Sequence, residues 1–232
     1  MVDADILKQV PLFEGLDAAE REGLAQGMRR RAYKRGDVLF HRDDQGSVLY
    51  FIVTGRVRIY LPTSTGEEVT LDLLKAGDFF GELAVLDELP RSASAAAVED
   101  VVVLTLDRQM LFSVLAEYPQ AAARILAEFS QRFRHATQMI EDIITLDVPG
   151  RICKQLLGLA EEYGVDTGQG IRINVKLTQQ ELASMIGATR ESTNKVLRNF
   201  HARGLIRIDG QTLLVLRPDL LRQRVGDFAA SA

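Results

Sequence analysis

One stretch of the chain combines residue types that suit the binding of a phosphate ester. It runs from Gly77 through Gly81 and Glu82 to Arg91 and Ser92. An arginine donates charge-assisted hydrogen bonds to a phosphate, a serine hydroxyl adds a donor, and a carboxylate accepts from a sugar hydroxyl. Glycine allows a ligand close approach to the backbone. The spacing alone leaves two interpretations open: a cyclic-nucleotide site, or a surface Glu–Arg pair in a sheet.

A second stretch, residues 177–200, has the pattern of two short helices joined by a tight turn. Thr178 and Glu181 form a capping box that begins the first helix. Gly187 permits the turn, and Thr189 can cap the second helix. Beyond it, Gly204 ends the second helix, and two apolar runs around Asp209-Gly210 predict a β-hairpin. This order of elements predicts a winged helix-turn-helix.

The polar face of the second helix carries side chains that can read DNA bases. Arginine and lysine donate to guanine O6 and N7 in the major groove, and glutamate accepts from the cytosine amino group. A carboxylate weakens phosphate binding by a basic helix, so we interpret Glu191 as a base reader. The alternative is a structural helix pair with solvated charges. The DNA-contacting residues expected here are Thr178, Thr189, Arg190, Glu191, Ser192, Asn194, Lys195 and Arg198.

The charge distribution supports nucleic acid as the partner of the C-terminal part. Residues 151–232 hold 12 Lys and Arg against 8 Asp and Glu, whereas residues 1–150 hold 16 against 24. The basic part is therefore the one expected to meet DNA.

The elements that must position the phosphate-binding stretch are short strands. Between about Tyr33 and Leu106, glycines punctuate apolar-rich runs every 9–11 residues, which is typical of an antiparallel sandwich or roll. The runs are 38–40, 48–53, 57–60, 69–71 and 101–104. A short helix capped by Asp17 precedes them, and Asp107 can cap another that ends near Tyr118.

A long helix is predicted from Pro119 to about Leu146, with apolar residues at spacings of three and four. This seam predicts a parallel dimer interface, although the same stripe could pack on the roll. The seam residues are Leu126, Phe129, Phe133, Ala136, Ile140 and Ile143. The segment 147–150 breaks the helix, and the next helix is expected from Arg151 to about Tyr163. The fold class is thus α+β, with a β-roll over residues 1–118, a dimerisation helix over 119–147 and the winged helix-turn-helix over 148–232.

Composition excludes several classes of protein. The chain has 232 residues, of which 47% are hydrophobic and 26% charged, so it can bury a core. It lacks the roughly 18 uncharged apolar residues of a membrane span and the pattern of a signal peptide, so we expect a soluble, cytoplasmic protein without a membrane partner. The single Cys153 is expected in the core, and three scattered histidines predict no metal site. No nucleophile–base pair is visible, so we do not expect an enzyme.

Taken together and in this order, the motifs resemble the CRP/FNR family of bacterial regulators, and most of all its cyclic AMP receptor branch. The motifs are the roll glycines, Gly81-Glu82-Leu83 followed by Arg91-Ser92-Ala93, the LDVPGR sequence that ends the long helix, and LTQQELASMIGATRESTNKVL from Leu177. The similarity covers nearly the whole chain. It implies a homodimer that binds palindromic double-stranded DNA, with cyclic AMP as effector and RNA polymerase as a partner.

The resemblance also assigns roles by position. It implies phosphate binding by Arg91 and Ser92 and ribose binding by Glu82. Arg190, Glu191 and Lys195 fall on the base-contacting positions, which implies a site similar to TGTGA with its inverted copy. The residues expected around the ligand are Ile59, Leu71, Gly81, Glu82, Leu83, Ala84, Arg91, Ser92, Ala93, Phe133, Ala136 and Thr137.

Three departures from the family pattern keep alternatives open. Ala136 stands where cyclic-AMP-binding members carry a threonine that reaches the adenine. Thr137 stands at the neighbouring position, where members carry a serine or asparagine that reaches the ligand from the other subunit of the dimer. Lys195 replaces the usual arginine, which turns a bidentate donor into a point charge. The connection from Glu82 to Arg91 is one residue shorter than in the best-known enterobacterial member. The alternatives are the same DNA-binding regulator acting without cyclic AMP, constitutively or with another ligand, and, more remotely, a cyclic-nucleotide module of an enzyme or channel.

Overall fold

The computed structural model describes residues 3–64, 66–210 and 212–229, and its contacts divide into two compact units. The first unit comprises the chain up to Pro62 together with Leu71–Arg134. The second comprises Thr63–Thr70 together with the residues from His135 onward. One long helix contributes residues to both units.

The first unit begins with short 3-10 helices at Ala4–Gln9 and Pro11–Phe13, followed by helix α1 (Ala18–Gly27). The predicted capping box is present, because Asp17 accepts from the Glu20 N–H and Glu20 accepts from the Asp17 N–H. Eight strands and helix α2 (Glu82–Asp87) follow. The strands are β1 (Arg29–Tyr33), β2 (Val38–Phe40), β3 (Val48–Thr54), β4 (Val57–Pro62), β5 (Glu68–Leu74), β6 (Phe79–Phe80), β7 (Ser94–Ala97) and β8 (Val101–Asp107).

The strands form two four-stranded sheets, in the orders β1-β8-β3-β6 and β2-β7-β4-β5. Strand β3 is buried on both faces, which explains why its sequence reads as a continuous apolar run. Tyr50 and Ile52 point into a core shared with residues of both sheets, whereas Leu49 and Phe51 point into a second core made with the surrounding helices. The two cores hold the strands that carry the phosphate-binding stretch.

All five runs predicted as strands are strands, whereas three strands, helix α2 and the two 3-10 helices were not predicted. The Ala-rich strand β7 has no intrinsic β preference, yet it lies between β2 and β4 and is fully buried. Strand β6 has two residues, and helix α2 has six. Strand β1 lies at the edge of its sheet and contains three exposed arginines. It was missed because a strand is predicted from a run of apolar residues, whereas β1 begins with these arginines.

Two helices follow the strands, and the second of them contributes residues to both units. Helix α3 (Arg108–Glu117) is capped by the Asp107 carboxylate, which accepts from the Met110 N–H at 2.9 Å, as predicted. Helix α4 (Pro119–Thr145) follows as one helix of 27 residues, with the predicted start and nearly the predicted end.

The second unit contains the predicted helix pair and hairpin, with additions. Helix α5 begins at Val148 and not at Arg151, because Asp147 caps it through the Gly150 N–H at 2.7 Å and Pro149 occupies its first turn. The segment that ends α4 therefore starts α5 as well. The unit's elements are α5 (Val148–Tyr163), β9 (Gly164–Asp166), β10 (Ile171–Ile173), α6 (Gln179–Met185), α7 (Arg190–Ala202), β11 (Ile206–Asp209), β12 (Thr212–Val215) and α8 (Pro218–Ala229).

The hairpin β11–β12 belongs to a four-stranded sheet in the order β11-β12-β10-β9, of which β9 and β10 were not predicted. Cys153 lies in α5 and is fully buried, as expected. Burial raises the pKa of its thiol to about 11, so the thiol is protonated at neutral pH.

Candidate functional site

The centre of the candidate ligand site is the guanidinium group of Arg91, which is only 4% exposed. Its Nη1 donates to the Gly81 carbonyl at 2.6 Å, and its Nη2 donates to the Val48 carbonyl at 2.8 Å. The group lies 4.3 Å from the ring centroid of Phe40 and 5.5 Å from that of Tyr50. Carbonyl dipoles and aromatic faces therefore stabilise the buried charge.

Arg91 has no anionic partner in contact with it among the described residues. Burial lowers the pKa of its guanidinium, although the group remains charged. Its Nε is buried and has no hydrogen-bond partner. A buried cation without a counter-ion is energetically costly, and an anionic ligand would supply that counter-ion.

Two glycines allow the backbone to close around this guanidinium. A Cβ atom at Gly81 would lie 2.5 Å from Arg91 Nη1, and the φ of Gly81 is +79°. A Cβ atom at Gly46 would lie 2.4 Å from Arg91 Nε. Gly81 thus lies close to Arg91, while its predicted close approach to a ligand stays a prediction. Gly46 was identified from sequence only as a turn residue.

Glu82, the first residue of α2, is buried and already paired. Its Oε1 accepts from Nη1 of Arg132 on α4 at 3.0 Å, and Arg132 also donates to the Phe79 carbonyl and to Glu128. The Arg132 guanidinium lies 5.1 Å from the Phe79 ring centroid. No local sequence pattern indicates this role of Arg132, because Glu82 and Phe79 lie about 50 residues away in the chain.

The other expected ligand residues lie in several environments. Ala84 and Ala93 are buried, and Ile59 and Leu71 are half-buried. Ser92 is exposed, so its hydroxyl is accessible, and Leu83 is exposed as well. On α4, the exposed residues of the expected set are Phe133, Ala136 and Thr137. The structure thus bonds Arg91 directly to the Gly81 carbonyl, and Glu82 follows Gly81 in the chain but pairs with Arg132.

The predicted helix-turn-helix is formed by α6 and α7, with the predicted caps. Thr178 Oγ1 accepts from the Glu181 N–H at 3.1 Å, and Thr189 Oγ1 accepts from the Ser192 N–H at 3.2 Å. Gly204 has a φ of +69°, and the N–H groups of Gly204 and Leu205 return to the carbonyls of His201 and Phe200. This is the Schellman arrangement that the glycine predicted.

Helix α7 presents a charged face and a buried face. Leu197 and Phe200 are buried, as is Thr193, whose position in the core was not predicted. Asn194 is half-buried, although it was expected to project outward. The exposed residues of the expected set are Thr189, Arg190, Glu191, Ser192, Lys195 and Arg198. Three cations and one carboxylate thus face solvent along one helix.

The apolar seam of α4 is largely exposed in the single chain. Leu126, Phe133 and Ile140 are 64%, 75% and 60% exposed, and they are seven residues apart. Ile143 is 48% exposed, and Ile144, which was not predicted for the seam, is 78% exposed. Phe129 instead packs partly against the core of the first unit. Large apolar side chains exposed along one helix mark a surface that another chain can cover.

None of the described helices is both long enough and apolar enough to cross a bilayer. The described ranges also contain no group of three or more His, Cys, Asp or Glu side chains that could hold a metal ion.

Comparisons with known proteins match both parts of the chain. The cyclic nucleotide-binding domain family matches residues 30–118, and the Crp-like helix-turn-helix domain family matches residues 150–224. The chain is 34% identical over 220 residues to the CRP-like cAMP-activated global transcriptional regulator of Mycobacterium tuberculosis, covering 95% of this chain and 98% of that protein. It is 32% identical over 217 residues to the cyclic AMP receptor protein of Thermus thermophilus, covering 94% and 97%.

A solved structure with a similar fold is that of the c-di-GMP-responsive global regulator CLP of Xanthomonas campestris. It has a TM-score of 0.76 and 25% sequence identity, and the match covers 86% of this chain and 99% of that one. The fold and the two matched domains define a DNA-binding transcription regulator with a cyclic nucleotide-binding domain. The chain belongs to the CRP/FNR family, as its motifs indicated.

The pairing of Glu82 with Arg132 generates a testable prediction. Replacing Arg132 with Met leaves a buried carboxylate without its partner, which should lower the free energy of unfolding by about 3 kcal/mol. Adding Glu82→Gln should recover part of this loss, because the uncompensated charge is removed. Urea unfolding of the single and double variants measures both effects. The control Arg217→Met breaks the exposed pair with Asp219 and should leave the unfolding midpoint unchanged. Equal destabilisation by Arg132→Met with and without Glu82→Gln would contradict the pairing.

Proposed function

We propose that this regulator is a homodimer that recognises a TGTGA-like inverted repeat under the control of cyclic AMP bound in the β-roll. The observation that carries the ligand proposal is the buried Arg91 guanidinium, which has no carboxylate in contact with it among the described residues and whose Nε has no hydrogen-bond partner. A cyclic phosphate supplies the missing charge, with the exposed Ser92 hydroxyl as an added donor. Glu82 would accept the ribose hydroxyl. The two relatives named above for cAMP or cyclic AMP support this choice of ligand.

A second candidate is the same regulator with a different effector, or with none. Ala136 carries no hydroxyl with which to reach an adenine, and it is exposed on α4. The structural relative from Xanthomonas campestris is named as c-di-GMP-responsive, so a related roll is associated with another nucleotide. Arg91 suits the phosphate of cyclic AMP and that of c-di-GMP equally well. The residues that contact the base would therefore decide between these two effectors.

The dimer and its DNA site are proposed from the exposed faces of α4 and α7. A parallel pair of α4 helices would bury the exposed seam. Two-fold symmetry would then place two copies of α7 about 34 Å apart, which is one turn of DNA. Arg190, Glu191 and Lys195 would contact the bases of each half-site. RNA polymerase as a partner and a cytoplasmic location follow from the family resemblance and belong to the same proposal.

The ligand proposal is tested by calorimetric titration of the full chain with cyclic AMP, cyclic GMP and c-di-GMP. Cyclic AMP is expected to bind, and Arg91→Gln should weaken this binding on the order of 10- to 100-fold through loss of a charge-assisted contact. The control is Arg42→Gln, which removes the same charge from an exposed side chain beside Asp43. A heat of binding with c-di-GMP but not with cyclic AMP would favour the second candidate, a regulator with a different effector. Full affinity for cyclic AMP in the Arg91→Gln variant would disprove the assigned role of Arg91.

The dimer proposal is tested by sedimentation velocity of the variant Ile140→Lys. Two lysines would face each other across a symmetric seam, so the variant should sediment as a monomer at micromolar concentrations where the wild type is a dimer. Leu89→Lys is the matched control, because Leu89 is 61% exposed, as Ile140 is at 60%, but lies outside α4. A dimeric Ile140→Lys variant would rule out this seam as the interface.

The base-reading role of Glu191 is tested by selecting binding sites from a randomised palindrome. Glu191→Ala should relax the preference at one base pair of each half-site, on the order of 10- to 100-fold in discrimination. Glu161→Ala removes the same charge from an exposed site on α5 and should leave the preference intact. An unchanged preference in the Glu191→Ala variant would refute its reading role.

A further inference from the structure

Arg151, in the first turn of α5, bonds to the ends of two other helices. Its Nε donates to the Ile186 carbonyl at 2.8 Å, at the C-terminal end of α6. Its Nη1 donates to the Leu146 carbonyl at 2.8 Å and is 3.4 Å from the Ile143 carbonyl, both at the end of α4. One guanidinium therefore joins α4 to α6, and all of these residues belong to the second unit.

The bonding pattern suits arginine and no other side chain. The carbonyls at the C-terminus of a helix lack partners within the helix and carry its negative dipole end, so they favour a cation. The guanidinium has five donors in a rigid plane, which allows it to bond to both helix ends simultaneously. The ammonium group of lysine keeps the charge but does not reproduce this fork.

The contact with Ile186 fixes the start of α7, which is the recognition helix of the proposed DNA-binding unit. Only residues 187–189 separate Ile186 from the first residue of α7. The Ala188 N–H returns to the Ala183 carbonyl at 3.0 Å, so the turn is itself bonded to α6. A Cβ atom at Gly187 would lie 3.7 Å from Ile143 Cδ1, so the turn also lies against α4. Moving the end of α6 relative to α4 would thus move α7.

We propose that Arg151 is a positioning residue that sets the distance and angle between the two recognition helices, and thereby the half-site spacing that the dimer accepts. The inference rests on the proposed function, since it assumes that α4 forms the dimer seam. Arg151 transmits the position of that seam to α6 and α7. It contacts no base and does not determine the sequence of a half-site.

The test measures affinity against half-site spacing for the full-length protein. Fluorescence anisotropy gives the Kd for duplexes whose half-sites are one helical turn apart, or are shifted by one, two or three base pairs, and for a single half-site. Each added base pair moves a half-site by roughly 3.4 Å and rotates it by roughly 35°. The wild type should lose more than about tenfold in affinity on a two-base-pair shift, because one half-site is then displaced and rotated away from its helix. In the Arg151→Gln variant, the loss of affinity on the same two-base-pair shift should fall below about threefold. The affinity of this variant for a single half-site should equal that of the wild type.

Two further variants keep the test decisive. Arg151→Lys retains the charge, so it is expected to fold and to show an intermediate spacing preference. Lys154→Gln is the matched control, because Lys154 pairs with Asp142 of α4 at 2.5 Å, one turn along α5, and this ion pair involves no residue of α6. It should keep the wild-type preference.

The outcomes separate this inference from the proposed function. Spacing discrimination that persists in both Arg151 variants overturns the positioning role and leaves the regulator proposal intact. A parallel loss of half-site affinity and of the unfolding midpoint would make Arg151 merely structural and also overturns it. A wild type that shows no preference for palindromes refutes the proposed function itself.

Discussion

The first unit depends on the interactions of one buried group, the guanidinium of Arg91. A cation removed from water needs dipoles or anions around it, and here carbonyls of Val48 and Gly81 and the rings of Phe40 and Tyr50 surround it. These partners come from β2, β3 and the turn before α2, so one side chain holds together segments that are distant in sequence. Glycine is required at position 81 because a Cβ atom there would occupy the space of the guanidinium. The structural role of Arg91 and its proposed role toward a phosphate therefore use the same atoms.

A ligand at this site would also affect α4 through Glu82. The carboxylate is paired with Arg132 of α4, so a ligand hydroxyl that bonds to Glu82 competes with or joins that pair. A ligand shifts a conformational equilibrium only by the difference between its affinities for the two states. An interaction that one state permits and the other lacks is the source of such a difference. The Glu82–Arg132 pair would supply a contact of this kind if a ligand hydroxyl displaced Arg132 from Glu82, because Arg132 lies on the helix proposed to form the dimer.

The parts that sequence predicted well are those determined by short-range chemistry. The caps at Asp17, Asp107, Thr178 and Thr189 each depend on a side chain and a backbone group three residues apart, so the pattern is visible in a few letters. Strand β7 was missed because alanine has no preference for strands, and only its neighbours β2 and β4 make it one. Arg132 and Gly46 were missed for the same reason. Their importance comes from partners about 50 residues away, and without such partners an arginine on a helix or a glycine in a turn is unremarkable.

The residue proposed to bind a phosphate and the residues that the resemblance assigns to the base lie on different parts of this chain. Arg91 is buried within one unit and bonds to that unit's own backbone, so its environment depends little on which base a nucleotide carries. The residues that the resemblance assigns to the base, Ala136 and Thr137, are instead exposed on α4. Substitutions on an exposed helix face rarely disturb a core, so this face can change while Arg91 keeps its surroundings. If relatives of similar fold share this arrangement, a common phosphate site with a variable helix face would account for names that refer to different cyclic nucleotides.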